Sequence, residues 1–305
     1  MTVALTPFAP EELDAPDGIT LVRFSGAAED LPADDVLADV EAWVIPYALS
    51  FPLGELAARM PRLRVIQAQS AGTDGIAAQV PAGVTLCNAR GVHDAATAEL
   101  GVGLMISALR GIPEFVRAQE NAEWLPYRWW TALADRTVMI LGYGSIGQAL
   151  ERRLAGFEVD VVRVAGHARD GVHASSELPE LLPTVDVVVV LTPLTDATRH
   201  LVDADFLAAL KDGALLVNLA RGPVVDTEAL LAELARGRLR AALDVTDPEP
   251  LPADHPLWRA PNTLITPHVA GGTSAMRPRV VALVRDQLRR LAAGEELINQ
   301  VPPSR

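Results

Sequence analysis

Short apolar runs punctuate the chain and are separated by segments with helical spacing. In the first third they are ITLVRF from Ile19, AWVI from Ala42, LRVIQAQ from Leu63 and VTLCN from Val84. Between the second and third, Leu53 to Met60 has helical spacing and stops at Pro61. Strands alternating with helices favour a parallel sheet covered on both faces. From Thr97 the texture changes to TAELGVGLMISALRGIPEFVRAQE, apolar at helical spacing and interrupted by Gly111 and Pro113, which predicts a kinked helix connecting two domains. A second strand series follows at Thr137 to Leu141, Val159 to Val164, Val185 to Leu191, Ala214 to Leu219, Ala241 to Val245 and Leu264 to Thr266. Helical segments, among them Asp203 to Leu210 and Thr227 to Arg236, separate several of these runs. Six such strands suit a doubly wound sheet, and VDVVVVL is what a strand buried on both faces requires. A last amphipathic segment, Ala275 to Ala293, precedes a tail too short to be a domain, which is expected to pack back on the N-terminal one.

Composition narrows the function. With 305 residues, 50% hydrophobic and 21% charged, the chain has apolar material for two ordinary domains. Acidic residues outnumber basic ones 39 to 26, giving a formal charge of -13 that disfavours nucleic acid and anionic membrane surfaces as partners. Cys87 is the single cysteine, so neither an internal disulfide nor a cysteine metal cluster is available. MTVALTPFAP lacks the basic segment and long apolar run of a signal peptide, and a soluble cytoplasmic protein is expected. Lys211 is the only lysine, and no metal-ligand spacing such as HExxH occurs.

The candidate chemistry lies where strands end. TVMILGYGSIGQALERRL puts Gly142, Gly144 and Gly147 between an apolar strand and a helix. In that context the first glycine permits the tight turn, the second lets backbone approach a pyrophosphate, and the third allows close helix-to-strand packing. Four later strands end in polar residues: Thr192-Pro193, Ala220-Arg221-Gly222, Asp244 with Glu249 five residues on, and Pro267-His268. Ligands of open α/β sheets sit at the carboxyl ends of strands, so an arginine, a carboxylate and a histidine converge where a nicotinamide would lie, the constellation for hydride transfer to a polar carbonyl. His93, His167, His173, His200 and His255 lack this convergence and carry no catalytic role, while Asp94 and Glu99 read as structural polar contacts.

At these residues the chain resembles the D-isomer-specific 2-hydroxyacid dehydrogenase family, which includes glyoxylate and hydroxypyruvate reductases. The stretches that carry the resemblance are QSAGTDGI, LGYGSIG, VNLARGPVVDTEAL, ALDVTDPEPLP, TPHVAGGT and AAGEELINQV. It implies an α/β architecture of two doubly wound parallel-sheet domains: a Rossmann nucleotide domain (97–273) inserted in a flavodoxin-like substrate domain (1–96 plus 274–305). It further implies that Arg221 binds the substrate carboxylate and carbonyl, that Glu249 pairs with His268, and that His268 is the acid-base residue. The backbone of Ala71, Gly72 and Thr73 would hold the carboxylate from the other domain. Ser145 and Ile146 would touch the pyrophosphate, and Pro193, Thr198, Ala220, Asp244 and Gly271 would line the rest of the cofactor path. By this resemblance the C-terminal regulatory domain of many phosphoglycerate dehydrogenases is expected to be absent. The expected reaction is reduction of a small 2-oxo acid to the D-2-hydroxy acid.

Two alternatives share the fold. A formate dehydrogenase would carry glutamine where Glu249 stands, and a dinucleotide-sensing regulator would carry extra binding segments at its termini. A homodimer is expected, through the apolar segment Thr97 to Ala118. The aromatic cluster Trp124, Tyr127, Trp129 and Trp130 either shapes the substrate pocket or packs at a subunit contact, and packing is the preferred reading. The cofactor expected is NADP(H), with NAD(H) also usable. An acidic residue about 20 residues beyond the first glycine normally takes the ribose 2′-hydroxyl. Here RVAGHAR offers none, and His167 and Arg169 would bind a 2′-phosphate instead. Arg163 lies within the strand, where its direction is open.

Overall fold

The computed structural model describes residues 1–47 and 49–302. The chain divides into two compact units, Met1–His93 with Ser274–Arg305, and Asp94–Thr273. The first break falls after His93 rather than after residue 96, because the connecting helix starts at Asp94 and packs whole against the second unit.

The first unit is a five-stranded parallel sheet of β1 (Thr2–Thr6), β2 (Ile19–Arg23), β3 (Val40–Val44), β4 (Val65–Gln67) and β5 (Thr85–Cys87), in the order β2-β1-β3-β4-β5. That is the flavodoxin-type order. Strand β1 is built from TVALT, within the opening stretch that carries no predicted strand, and it lies inside the sheet between β2 and β3. Alternate side chains serve two cores: Ala4, Ala42, Val44, Val65 and Cys87 meet Val280, Val284 and Leu288 of the helix Met276–Ala293, while Leu5, Trp43 and Ile66 meet Leu53 and Leu56 of the helix Leu53–Ala58. The last helix is thereby part of the first unit. Its buried Gln287 donates to Gln67 Oε1 (2.8 Å), so the polar pair inside this core is satisfied.

The second unit holds seven parallel strands: β6 (Thr137–Leu141), β7 (Asp160–Ala165), β8 (His173–Ala174), β9 (Val187–Val190), β10 (Leu215–Asn218), β11 (Arg240–Leu243) and β12 (Thr263–Ile265). Their order, β12-β11-β10-β9-β6-β7-β8, places strands on either side of the first one and creates a topological switch point between β6 and β9. Six correspond to the apolar runs, and β8 adds a two-residue edge that has no apolar run to announce it. The four valines of β9 are wholly buried and alternate between two cores, Val188 and Val190 with Met139 and Leu216, Val187 and Val189 with Ile140 and Val217. The connecting helix runs Asp94–Leu109, breaks at Gly111 (φ 67°), and resumes as Ile112–Glu120 at 68° to the first part. Leu104, Met105 and Leu109 pack into the second core against Leu150 and Leu154. Among the described residues no single helix is long and apolar enough to cross a membrane.

Candidate active site

Strand β6 delivers its chain into Gly142, which adopts φ 103°. A Cβ there would sit 2.5 Å from the Leu191 carbonyl carbon and from the Thr192 nitrogen, so the turn closes against the end of β9 only with glycine. Around Gly144 a Cβ would meet nothing within 4 Å, an open position in front of the helix Ser145–Leu154. A Cβ on Gly147 would press on Ile140 Cγ2 at 3.1 Å and on the Gly142 carbonyl at 3.2 Å, which fixes how tightly helix and strand pack. The three glycines therefore do three different jobs. The Ser145 hydroxyl donates to Asp94 Oδ1 (3.2 Å), tying the turn to the start of the connecting helix, and Ile146 follows in the first turn. A tight turn, an open backbone position and an unobstructed helix N-terminus are the features a dinucleotide pyrophosphate needs. Next to them the buried Thr192 hydroxyl has no partner among the described residues. These residues fit the cofactor.

Each later strand end is pinned by side-chain hydrogen bonds to backbone. After β9, Thr198 Oγ1 donates to the Pro193 carbonyl (2.6 Å) and accepts from Thr195 N–H (2.8 Å). After β10, the buried Asn218 accepts from Ala220 N–H (3.0 Å) and donates to the Arg221 carbonyl (3.0 Å), while Arg221 Nη1 donates to the Ala220 carbonyl (2.7 Å). A Cβ on Gly222 would come within 1.8 Å of the Thr246 carbonyl oxygen, so the Arg221 loop lies directly on the loop that leads to Glu249. After β11, buried Asp244 accepts from Thr266 Oγ1 (2.6 Å) and Val269 N–H (3.0 Å) with one oxygen, and from Ala270 N–H (3.0 Å) with the other. His268 N–H in turn donates to the Asp244 carbonyl (2.7 Å). Asp244 thus organises the turn that presents His268, with Gly271 directly after it. His268 itself is left-handed at φ 52°, a conformation unusual for a non-glycine residue and maintained here by those bonds.

His268 Nδ1 lies 2.5 Å from Glu249 Oε1. An ionised carboxylate only accepts, so Nδ1 carries the proton and Nε2 is the ring atom left for proton exchange. Both side chains are partly exposed, as a pair that must reach a substrate has to be. In the first unit, Ala71, Gly72 and Thr73 form the loop after β4. Ser70 Oγ donates to the Gly72 carbonyl (2.7 Å), Asn88 Nδ2 donates to the Ala71 carbonyl (3.0 Å), and the Thr73 carbonyl accepts from Ile76 and Ala77.

Beyond β7, His167 is exposed and Arg169 turns back to donate to the Tyr143 carbonyl. Arg163 has a different occupation: its Nε donates to both Glu151 oxygens (2.9 and 3.0 Å). Sequence reasoning passed over Asn218, Thr266, Tyr143 and Glu151. A polar residue closing an all-apolar strand, as in LLVN, was the available signal for Asn218 alone.

The family model for the D-isomer specific 2-hydroxyacid dehydrogenase, NAD binding domain, matches residues 102–270. The chain belongs to this family. It is 36% identical over 251 residues to a glyoxylate reductase of Thermofilum pendens, covering 77% of this chain and 74% of that protein. A D-isomer specific 2-hydroxyacid dehydrogenase from Xanthobacter autotrophicus Py2, solved in complex with NADPH and MES, superposes with a TM-score of 0.81 at 30% identity, covering 99% of this chain and 98% of that one. An NADPH-dependent glyoxylate/hydroxypyruvate reductase from Sinorhizobium meliloti, in complex with NADP and malonate, gives a TM-score of 0.80 at 29% identity, with 100% and 98% covered. The chain is accordingly an NAD(P)-dependent dehydrogenase of the 2-hydroxyacid family, with a Rossmann nucleotide domain and a substrate domain.

Proposed function

We propose that this dehydrogenase reduces a small 2-oxo acid of the glyoxylate or hydroxypyruvate type to the D-2-hydroxy acid, prefers NADPH, and works as a homodimer. The observation that carries the reading is the His268–Glu249 pair, held in a strained turn with one ring nitrogen left for proton exchange. Arg221 takes the substrate carboxylate by a planar pair of N–H donors. A reduced nicotinamide held there would supply the hydride for C2. His268 Nε2 gives its proton to the carbonyl oxygen, so hydride and proton together turn C=O into CH–OH, and Glu249 stabilises the imidazolium that makes the donation. Gly142, Gly144, Ser145, Ile146 and Gly147 hold the pyrophosphate, while Pro193, Thr198, Ala220, Asp244 and Gly271 line the path onward. His167 and Arg169 take the 2′-phosphate. Similarity to the glyoxylate reductase and to the NADPH-dependent reductases supports both substrate size and cofactor.

The test is a panel of 2-oxo acids of increasing side-chain size, with NADPH and NADH oxidation followed by absorbance. Glyoxylate and hydroxypyruvate are expected to give the highest kcat/KM, at least tenfold better with NADPH. No turnover of any 2-oxo acid would overturn the enzyme reading, and equal use of NADH would overturn the cofactor preference alone.

A further inference from the structure

Tyr143 occupies the variable position of the first G-x-G step, between Gly142 and Gly144. Its N–H, like that of Gly142, donates to the Val164 carbonyl near the end of β7 (2.9 Å each). In this fold the end of the second strand is where the adenosine ribose is recognised. The Tyr143 ring is flanked by two arginines, with the guanidinium carbon of Arg163 at 5.8 Å and that of Arg169 at 5.9 Å from its centre. Both distances fall within the range of cation–π attraction.

The two arginines differ in what else they touch. Arg163 is bidentate on Glu151, and the Tyr143 hydroxyl donates to the same carboxylate, so tyrosine, glutamate and arginine form one closed cluster between β7 and the helix Ser145–Leu154. Burial, and then the neighbouring Glu151 carboxylate, push the Tyr143 phenol above its ordinary pKa and keep it a hydrogen-bond donor. The charge of Arg163 is neutralised where it stands. Arg169 pairs with no carboxylate among the described residues; its Nη2 holds the Tyr143 carbonyl, and its backbone is closed in both directions onto Val172 (3.0 and 2.8 Å). Its cationic head is thus fixed beside the glycine turn with its charge uncompensated.

We propose that Tyr143 is a positioning residue for recognition of a ribose 2′-phosphate: its ring and carbonyl hold the Arg169 guanidinium in place, and the Glu151–Arg163 pair holds the ring. Discrimination between phosphorylated and unphosphorylated dinucleotides then depends on the variable residue of the G-x-G step as well as on the loop after β7. The inference rests on Arg169 being the 2′-phosphate ligand, and the experiment separates the two.

Adenosine 2′,5′-bisphosphate and 5′-AMP are titrated calorimetrically into the full chain and into Tyr143→Leu, Tyr143→Phe and Arg169→Ala, with NADPH and NADH affinities measured in parallel by fluorescence. Removing a cation–π contact together with the ordering it imposes should weaken the bisphosphate about five- to tenfold in Tyr143→Leu. 5′-AMP should change less than about twofold, which also reports that the turn is folded. Tyr143→Phe, which keeps the ring, should retain at least about half of the bisphosphate affinity. Equal weakening of both ligands, no weakening of either, or a Phe variant as poor as the Leu variant overturns the role of the ring. If Arg169→Ala leaves the bisphosphate-to-AMP ratio unchanged, the underlying assignment of Arg169 fails; if it lowers that ratio while Tyr143→Leu does not, only the positioning inference fails.

Discussion

At the scale of single residues, the imidazole of His268 is committed on one nitrogen and open on the other, and Arg221 sits on a loop that can approach Thr246 only because residue 222 has no side chain. On the proposed mechanism His268→Ala removes the proton donor, and Arg221→Ala removes the cation for the carboxylate. Each should lower kcat/KM by about 100-fold or more, since general acid catalysis typically contributes about 10²–10⁴-fold. Fluorescence titration with NADPH should show the nucleotide still bound in both. Turnover of His268→Ala within tenfold of wild type would remove it from its assigned role. His268, Glu249 and Arg221 could be picked out of the chain as candidates because each follows an apolar strand, where ligands of this fold gather, and the structure pairs the first two. The orienting roles of Asp244 and Thr266 could not. Asp244 reaches Val269 and Ala270 across 25 and 26 positions, and Thr266 reaches Asp244 across 22, so their purpose is visible only once β11 and β12 lie side by side.

Among the elements, the wholly apolar strands announced themselves, whereas β1 and β8 did not: TVALT is short and bounded by threonines, and a two-residue strand has no periodicity to detect. The break in the connecting helix, 68° in size, followed from Gly111 and Pro113, but the Trp130 ring that occupies the space a Cβ on Gly111 would need did not. No sequence pattern reports that contact. The pairing of β7 with the helix Ser145–Leu154 through Arg163 and Glu151 was equally hidden, and it has a pH signature. The hydrogen bond from Arg163, with help from Tyr143 and against desolvation, lowers the Glu151 pKa below its ordinary 4.5. A carboxylate with a depressed folded-state pKa stabilises the fold above its unfolded value, and that contribution is lost as pH falls through the folded value. Glu151→Gln should therefore lower Tm by about 1–3 °C at pH 7, a modest amount because the pair is partly solvated. The difference from wild type should shrink as the pH is taken below 4.5 and through the depressed folded-state value. A Tm difference independent of pH would show that Glu151 acts by packing alone.

For the whole molecule, the question is what covers the apolar surface of the second unit. The expectation placed the excess on Thr97 to Ala118; in the first half of that segment Ala98, Gly101, Leu104, Met105 and Leu109 are buried inside the unit, while Leu100, Val102, Ile106 and Ala108 are half-buried against its core. The most exposed apolar side chains begin in its second half and continue past it. Ile112, Phe115 and Val116 face outward from the second helix, and Trp124 and Trp129 on the arm that follows are 97% and 88% exposed. Helix and arm enclose a groove of about 1130 Å³ lined by Phe115, Trp124, Tyr127 and Trp130 among others. Trp130 is anchored, edge-on to Phe115 at 5.1 Å and beneath the Arg128 guanidinium at 3.6 Å, while Tyr127 and Trp129 lie edge-on to each other at 5.7 Å. Contiguous aromatic surface of this kind is costly to leave in water and marks an association site, and a two-fold pair of identical arms is the simplest closed way to bury it. Light scattering at tens of micromolar should give twice the 32.5 kDa of one chain. Trp124→Ser combined with Trp129→Ser should shift the mass toward one chain without lowering the Tm of the nucleotide unit, because neither ring is packed within it. A single-chain mass for the wild type, or a dimer unmoved by the double substitution, would place the interface elsewhere or nowhere.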